Sequence, residues 1–293
     1  MKKILSLLVI LSIGLFSCGK GSQKGIEVKG SDTLLELVQE MGEVYIKKSG
    51  IAVNVSGGGS GVGVAGIVNN NTDIGDASRQ IKDKEIKKAK ENGIEPLEVK
   101  LGIDAIAIVV NPSNTINQLT TDQLAAIYKG EVKNWKEVGG PDVEISLYGR
   151  QENSGTYAFF QEHILKANYS DKMKRMNGNA QMFEGVKADI GGIGYQGLGY
   201  VMNEDGSFKP GVKVLAVVGK SGRAVLPSDK SAVLSGEYAI SRFLYQYVNK
   251  NMTQTVKDFV LFELSPEGQA IVKKTGFYPL DERAKELNPE LFK

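Results

Sequence analysis

Short alternating or wholly apolar runs trade places with runs of helical period along almost the entire chain. Ile26-Glu27-Val28-Lys29-Gly30 alternates like a strand, and Leu34, Leu35, Leu37, Val38, Met41, Val44 and Tyr45 then recur at helical spacing. Ile51 to Val55 predicts a second strand, and Ser56-Gly57-Gly58-Gly59-Ser60-Gly61 a glycine loop opening a short helix. Thr72 to Arg79 predicts a short strand ending in a polar turn, and Lys82 to Glu91 a Lys-rich helix with a solvated face. Ile103 to Val110, broken only by Asp104, is the near-continuous apolar run of a strand buried on both faces. Further on, the pattern predicts a helix from Thr120 to Lys129, a strand ending at Arg150 and a helix from Ser154 to Leu165. A Gly-rich strand around Asp189 to Tyr195, a strand from Val212 to Val218 and helices over Thr253–Leu264 and Ser265–Lys274 follow. Alternating strands and helices predict an α/β fold with mostly parallel sheets. The runs at 103–110 and 238–247 read as two crossings between lobes, one made of 26–110 plus 240–293 and the other of 111–239.

In such sheets ligands bind beyond the carboxyl ends of strands, where helices start. Four junctions of this kind fall at Thr33, Ser60, Ser78 and Ser154. At the first, Ser31 or Asp32 stands where an N-cap is wanted. The richest is Arg150-Gln151-Glu152-Asn153-Ser154-Gly155-Thr156. A helix start there offers unpaired N–H groups and the positive end of a dipole. Gly155 admits close approach, Ser154 and Thr156 add hydroxyl donors, and Arg150 adds a two-pronged guanidinium. That donor set predicts an anion site. Two other motifs fail at the glycine loop. Gly61 to Gly66 matches G-x-G-x-x-G, but its helix is too brief for a dinucleotide fold, and Val64 stands where a P-loop needs Lys.

Met1-Lys2-Lys3 followed by an apolar run from Ile4 to Phe16 is a signal peptide pattern, spanning 1–17. Ser17-Cys18 at its end resembles a lipobox, so Cys18 is expected to be acylated and 18–25 to serve as a flexible tether. Cys18 is the only cysteine, which leaves the mature body without thiol or disulfide chemistry. Removing Lys2 and Lys3 takes Lys plus Arg from 36 to 34, against 34 Asp plus Glu. A body of zero formal charge lacks the broad basic face a nucleic-acid binder needs. The catalytic inventory is equally thin. His163 is the only histidine, so neither a zinc site nor a Ser-His-Asp arrangement can be assembled in the ordinary way. No metal, no cofactor and no enzymatic activity are expected. Donors without a base suit reversible capture.

The chain is similar to the phosphate-binding substrate-binding proteins of bacterial ABC importers. The resemblance rests on Gly30-Ser31-Asp32-Thr33, Gly58-Gly59-Ser60-Gly61, Asp73-Ile74-Gly75 with Ser78-Arg79, Leu119 to Leu124 running to Trp135 and Gly139-Gly140, Arg150 with Ser154-Gly155-Thr156, and Ile193-Gly194-Tyr195. It implies a two-lobed type II periplasmic-binding-protein fold, each lobe a mostly parallel sheet flanked by helices. The lobes would close on one phosphate and deliver it to permease subunits in the inner membrane. The protein would be a monomer, exported and lipid-anchored through Cys18. Carried over by position, Ser31, Thr33 and the Leu34 N–H, Ser60 and Gly61, Ser78 and Arg79, and Arg150, Ser154, Gly155 and Thr156 would hold the anion. Many relatives place an Asp after the third strand to accept the proton of phosphate, and here that position is Ser78. Sulfate has no such proton, so a buried carboxylate rejects it. Asp32 and Asp76 are the candidate acceptors, Asp32 the better placed. The substitution at Ser78 also admits another oxyanion, sulfate, molybdate or tungstate, as ligand. A phosphate-ester hydrolase is the remaining alternative, for which no nucleophile and base can be found.

Overall fold

A computed structural model describes residues 24–293, so the signal peptide and Cys18 lie outside the described residues. The first half runs β1 (Ile26–Gly30), α1 (Leu35–Ser49), β2 (Val53–Ser56), α2 (Ser60–Val68), β3 (Ile74–Ala77), α3 (Asp83–Glu91) and β4 (Pro96–Val110). Next come β5 (Gln118–Thr120), α4 (Thr121–Lys129), β6 (Ser146–Arg150), α5 (Gly155–Phe160), β7 (Lys174–Met176), α6 (Asn179–Ala188) and β8 (Gly192–Gly197). The chain closes with β9 (Lys213–Val218), β10 (Ala224–Val225), α7 (Lys230–Ser235), β11 (Ser241–Asn249), α8 (Gln254–Glu263), α9 (Pro266–Lys274) and α10 (Arg283–Leu287).

The fold is a two-lobed α/β architecture threaded by β4 and β11. In the first lobe β1 lies between β2 and β3, parallel to both. β11 then pairs antiparallel with β3 and with β4. Within β4 the partner changes: residues up to Ala105 pair with β11, whereas Ile106 to Val110 pair with β8 and β9. In the second lobe β6 is parallel to β8 and to β7. Parallel pairing thus holds where strand, helix and strand follow in turn, as crossover connections require. Apart from the β9–β10 hairpin, antiparallel pairing enters with β4 and β11, which cross between lobes and meet the local strands from the opposite direction.

β4 is longer than its apolar core. Its first residues, Pro96 to Glu98 and Lys100, are half-buried and polar in part, so periodicity reveals only the stretch buried on both faces. α2 owes its place to glycines. A Cβ on Gly63 would lie 2.5 Å from the Asp76 carbonyl oxygen and 2.6 Å from that of Lys29, and one on Gly75 would lie 2.5 Å from the Gly63 carbonyl oxygen. The G-x-G-x-x-G match therefore records a helix seated directly on backbone, one of the uses to which glycine is put. On the other face of that sheet α1 and α8 meet through Tyr45 and Phe259, ring centroids 5.0 Å apart.

In the second lobe Phe160 stacks on Tyr195 at 4.3 Å, with Tyr128 edge-on to both. This aromatic floor anchors the end of β6, because the Arg150 N–H donates to the Tyr195 hydroxyl. Trp135, the only tryptophan, is fully buried with Nε1 donating to the Gly191 carbonyl. α5 passes into a π-helical turn, Gln161–Leu165, so the predicted helix through Leu165 is real but changes its winding.

Candidate functional site

The four strand-to-helix junctions converge between the lobes. Ser31, Thr33, Ser60 and Ser78 come from the first lobe, and Thr156 from the second; all five side chains are buried. Ser31 Oγ donates to Ser78 Oγ at 3.0 Å, and Ser60 Oγ lies 3.2 Å from Ser78 Oγ. Thr33 Oγ1 and Thr156 Oγ1 meet across the cleft at 3.2 Å. Gly155 makes the convergence sterically feasible: a Cβ there would lie 2.2 Å from Ser60 Oγ and 2.6 Å from Ser78 Oγ.

Some of the backbone amides at these helix starts are already engaged. Leu34 N–H donates to the Ser31 carbonyl, and Thr33 N–H to Ser31 Oγ, so the entry to α1 is a self-satisfied turn. Gly61 N–H donates across the cleft to the Asn153 carbonyl. Ser154 caps α5 by accepting from Thr156 and Tyr157 N–H, which engages the lone pairs of its oxygen and leaves its hydrogen to donate. What faces the junction is mainly hydroxyl.

Arg150 is 1% exposed and fixed on three sides. Nη2 donates to Asp32 Oδ2 at 2.6 Å, Nη1 to Asn179 Oδ1 at 2.6 Å, and Nε to Gln151 Oε1 at 3.1 Å. Asp32, the expected proton acceptor, is engaged as a brace. Its Oδ2 also accepts from Gln151 Nε2, its Oδ1 from the Gly58 N–H, and its carbonyl from the Tyr200 hydroxyl.

Two placements correct the sequence reading. Arg79 turns away from the hydroxyls to a bidentate pair with Glu85, at 2.8 and 2.9 Å, because the residue opens the β3–α3 loop and Glu85 sits in the first turn of α3. Asp76 points into the core of the first lobe, on the face of β3 opposite α2, where Gln246 Nε2 donates to its Oδ1. The same Gln246 nitrogen donates to Glu263 Oε1. Burial pushes the Asp76 carboxyl up to about 8. Burial, and then the neighbouring Asp76 charge, push Glu263 well above the carboxylate range too.

The residue that sequence reasoning missed is Arg242 on β11, paired with Asp104 directly across the ladder on β4. Asp104 Oδ2 accepts from Nε at 3.1 Å and Nη2 at 2.8 Å, and Nη1 donates to the Ser78 carbonyl at 2.8 Å. Nη2 also donates to Thr156 Oγ1 at 2.9 Å and reaches Thr33 Oγ1 at 3.5 Å. Burial lowers the pKa of both guanidiniums, opposed by Asp32 at Arg150 and by Asp104 at Arg242. The Arg242 charge is near enough to act on Arg150 in the same downward direction. The available signal was a charged residue inside each apolar crossing run. His163, by contrast, stacks on Phe159 at the surface. Among the described residues no group of three His, Cys, Asp or Glu could hold a metal ion.

Two lobes closing hydroxyls and two buried guanidiniums around one point define a substrate-binding protein with a cleft made for an anion. A family model described as a PBP superfamily domain matches residues 19–267, so the chain belongs to the PBP superfamily. It is 31% identical over 276 residues to the phosphate-binding protein PstS of Pseudomonas aeruginosa PAO1, covering 88% of this chain and 83% of that one. It is 30% identical to the phosphate-binding protein PstS of Borreliella burgdorferi, covering 94% and 98%. A Clostridium perfringens structure described as a phosphate ABC transporter substrate-binding protein with bound phosphate superposes with a TM-score of 0.78 at 28% identity, covering 87% and 99%.

Proposed function

We infer that this protein is the solute-binding component of a phosphate ABC importer, capturing inorganic phosphate between its lobes and passing it to the permease. The observation that carries the reading is the meeting of Ser31, Thr33, Ser60, Ser78 and Thr156 hydroxyls beside the buried Arg150 and Arg242. It is supported by the relatives named as phosphate-binding proteins. On binding, hydroxyl–hydroxyl bonds are exchanged for bonds to phosphate oxygens, with Gly155 giving the anion close access to the tip of α5. Leu34 and Gly61 shape their turns, and Ser154, whose oxygen caps α5, keeps its hydroxyl hydrogen as a donor toward the anion. The protein acts by capture, not turnover: Asp32 and Asp104, the carboxylates beside the junction, are each engaged by an arginine. Export through the 1–17 signal and anchoring through an acylated Cys18 complete the proposal, and labelled palmitate incorporated by wild type but not by Cys18→Ser would support the anchor.

A second oxyanion as the physiological ligand is favoured by one observation. Ser78 stands at the junction where a carboxylate would reject sulfate, and Asp32 and Asp104 are both engaged with arginines. Calorimetric titration with phosphate, sulfate and molybdate tests the reading. Tightest binding of phosphate supports it, and tightest binding of sulfate or molybdate replaces it.

A further inference from the structure

Resting on the phosphate reading, we propose that Arg242, held by Asp104, is a positioning residue of the anion site. It fixes Thr33 and Thr156 as donors toward the anion and leaves Ser78, with Ser31 and Ser60, to accept the anion's proton.

A hydroxyl can both donate and accept. It carries one hydrogen and two acceptor lone pairs, so its direction depends on its neighbours, whereas a guanidinium can only donate. Arg242 Nη2 directs an N–H at Thr156 Oγ1 and lies within reach of Thr33 Oγ1. A threonine oxygen that receives this bond has a lone pair filled, and its own hydrogen is left to point elsewhere. The two oxygens are 3.2 Å apart, one from each lobe, and an anion between the lobes gives both hydrogens one acceptor. Arg242 cannot swing away. Asp104 lies opposite it in the β4–β11 register and takes two of its N–H groups, the Ser78 carbonyl takes a third, and the Phe159 ring lies 5.5 Å from the guanidinium carbon. Asp104 is held in turn by the Leu198 N–H on its other oxygen.

The serine side of the junction is different. Ser31, Ser78 and Ser60 bond to one another in a chain, fixed only by backbone N–H groups from Thr33 to Ser31 Oγ and from Ser78 to Ser60 Oγ. Among the described residues no charged side chain donates to these three oxygens, so the chain can reverse direction and Ser78 can receive a proton from the ligand. The junction therefore divides into a fixed donor half and a reversible half. Its two guanidiniums also favour a doubly charged anion over a singly charged one.

The test is calorimetry with inorganic phosphate and with sulfate, at pH 6 and pH 8, on the full mature chain. The variants are Arg242→Lys, the double change Arg242→Met with Asp104→Leu, and Ser78→Ala. The double variant removes both buried charges together, which a folded core tolerates far better than the loss of one. Both Arg242 variants are expected to weaken binding of both anions by about 30-fold or more, as for truncating a buried charge partner. The double variant, which removes the guanidinium charge itself, should also flatten the gain in phosphate affinity between pH 6 and pH 8. Ser78→Ala is expected to cost phosphate more than sulfate. Dissociation constants within about threefold of wild type, with only the competent fraction reduced, would mean that Arg242 is structural and overturn the proposal. An unchanged phosphate-to-sulfate ratio in Ser78→Ala overturns the part assigned to Ser78. Failure of the wild type to bind either anion would instead sink the phosphate reading itself.

Discussion

Asp32 does for Arg150 what Asp104 does for Arg242: each carboxylate neutralises and aims a guanidinium that would be costly to bury alone. Arg150→Ala should therefore weaken phosphate binding by about 2–5 kcal/mol, measured by titration, since it leaves Asp32 without its partner as well as removing a donor. Asp76 and Glu263 make a separate statement about stability. The native state holds protons on this buried pair that the unfolded chain releases once the pH passes the ordinary carboxylate range. The native protein therefore binds more protons than the unfolded chain from about pH 4. The resulting stability is complete below that point and is lost as pH rises toward about 8. Glu263→Gln should accordingly raise the melting temperature at pH 8 while changing it little at pH 4.5. Equal effects at both pH values would show that the carboxyl is not holding a proton. At this scale the sequence disclosed the hydroxyls and Arg150 but not Arg242, because its meaning depends on a partner 138 residues away. A lone charge in an apolar run shows that a partner must exist, not where it is.

Glycines set the elements. Periodicity disclosed α4, α8 and α9 to within a residue and α1 as far as Tyr45, four residues short of its end, because each carries an apolar stripe on a polar background. α6 left no such trace: it starts at Asn179 behind Gly178, contains Gly185 and shows weak amphipathicity, yet it delivers Asn179 to Arg150. Helix starts were legible as places, but the Thr33, Leu34 and Gly61 amides proved occupied by turns and a cross-cleft bond, which depend on neighbours no single segment reveals. Two substitutions separate packing from binding. Gly63→Ala should lower stability by about 1–3 kcal/mol in chemical denaturation, because its Cβ meets backbone rather than a yielding side chain. Gly155→Ala should instead chiefly reduce anion affinity, because its Cβ meets Ser60 and Ser78 hydroxyls inside the junction.

The molecule as a whole is closed across its cleft. Asn153 Nδ2 donates to the Gly58 carbonyl, Gln151 Nε2 to Asp32, and Lys82 pairs with Glu162 at 2.9 Å, each bond joining one lobe to the other. β4 and β11 are the strands about which the lobes can open, a hinge geometry. Opening is expected in ligand-free protein, so small-angle scattering should show a smaller radius of gyration with phosphate than without it. The two-lobed plan was legible from two apolar runs far apart in the chain, whereas the change of partner inside β4 depends on register, which composition does not encode. Several charge-assisted bonds of about 1.5–3 kcal/mol each can outweigh binding costs and reach micromolar affinity or tighter. Equilibrium dialysis of the mature chain against radiolabelled orthophosphate at neutral pH tests this most directly. Saturable retention of one phosphate per chain at micromolar concentration, abolished by Arg150→Ala, is expected; no retention by the wild-type protein would rule out capture of phosphate between the lobes.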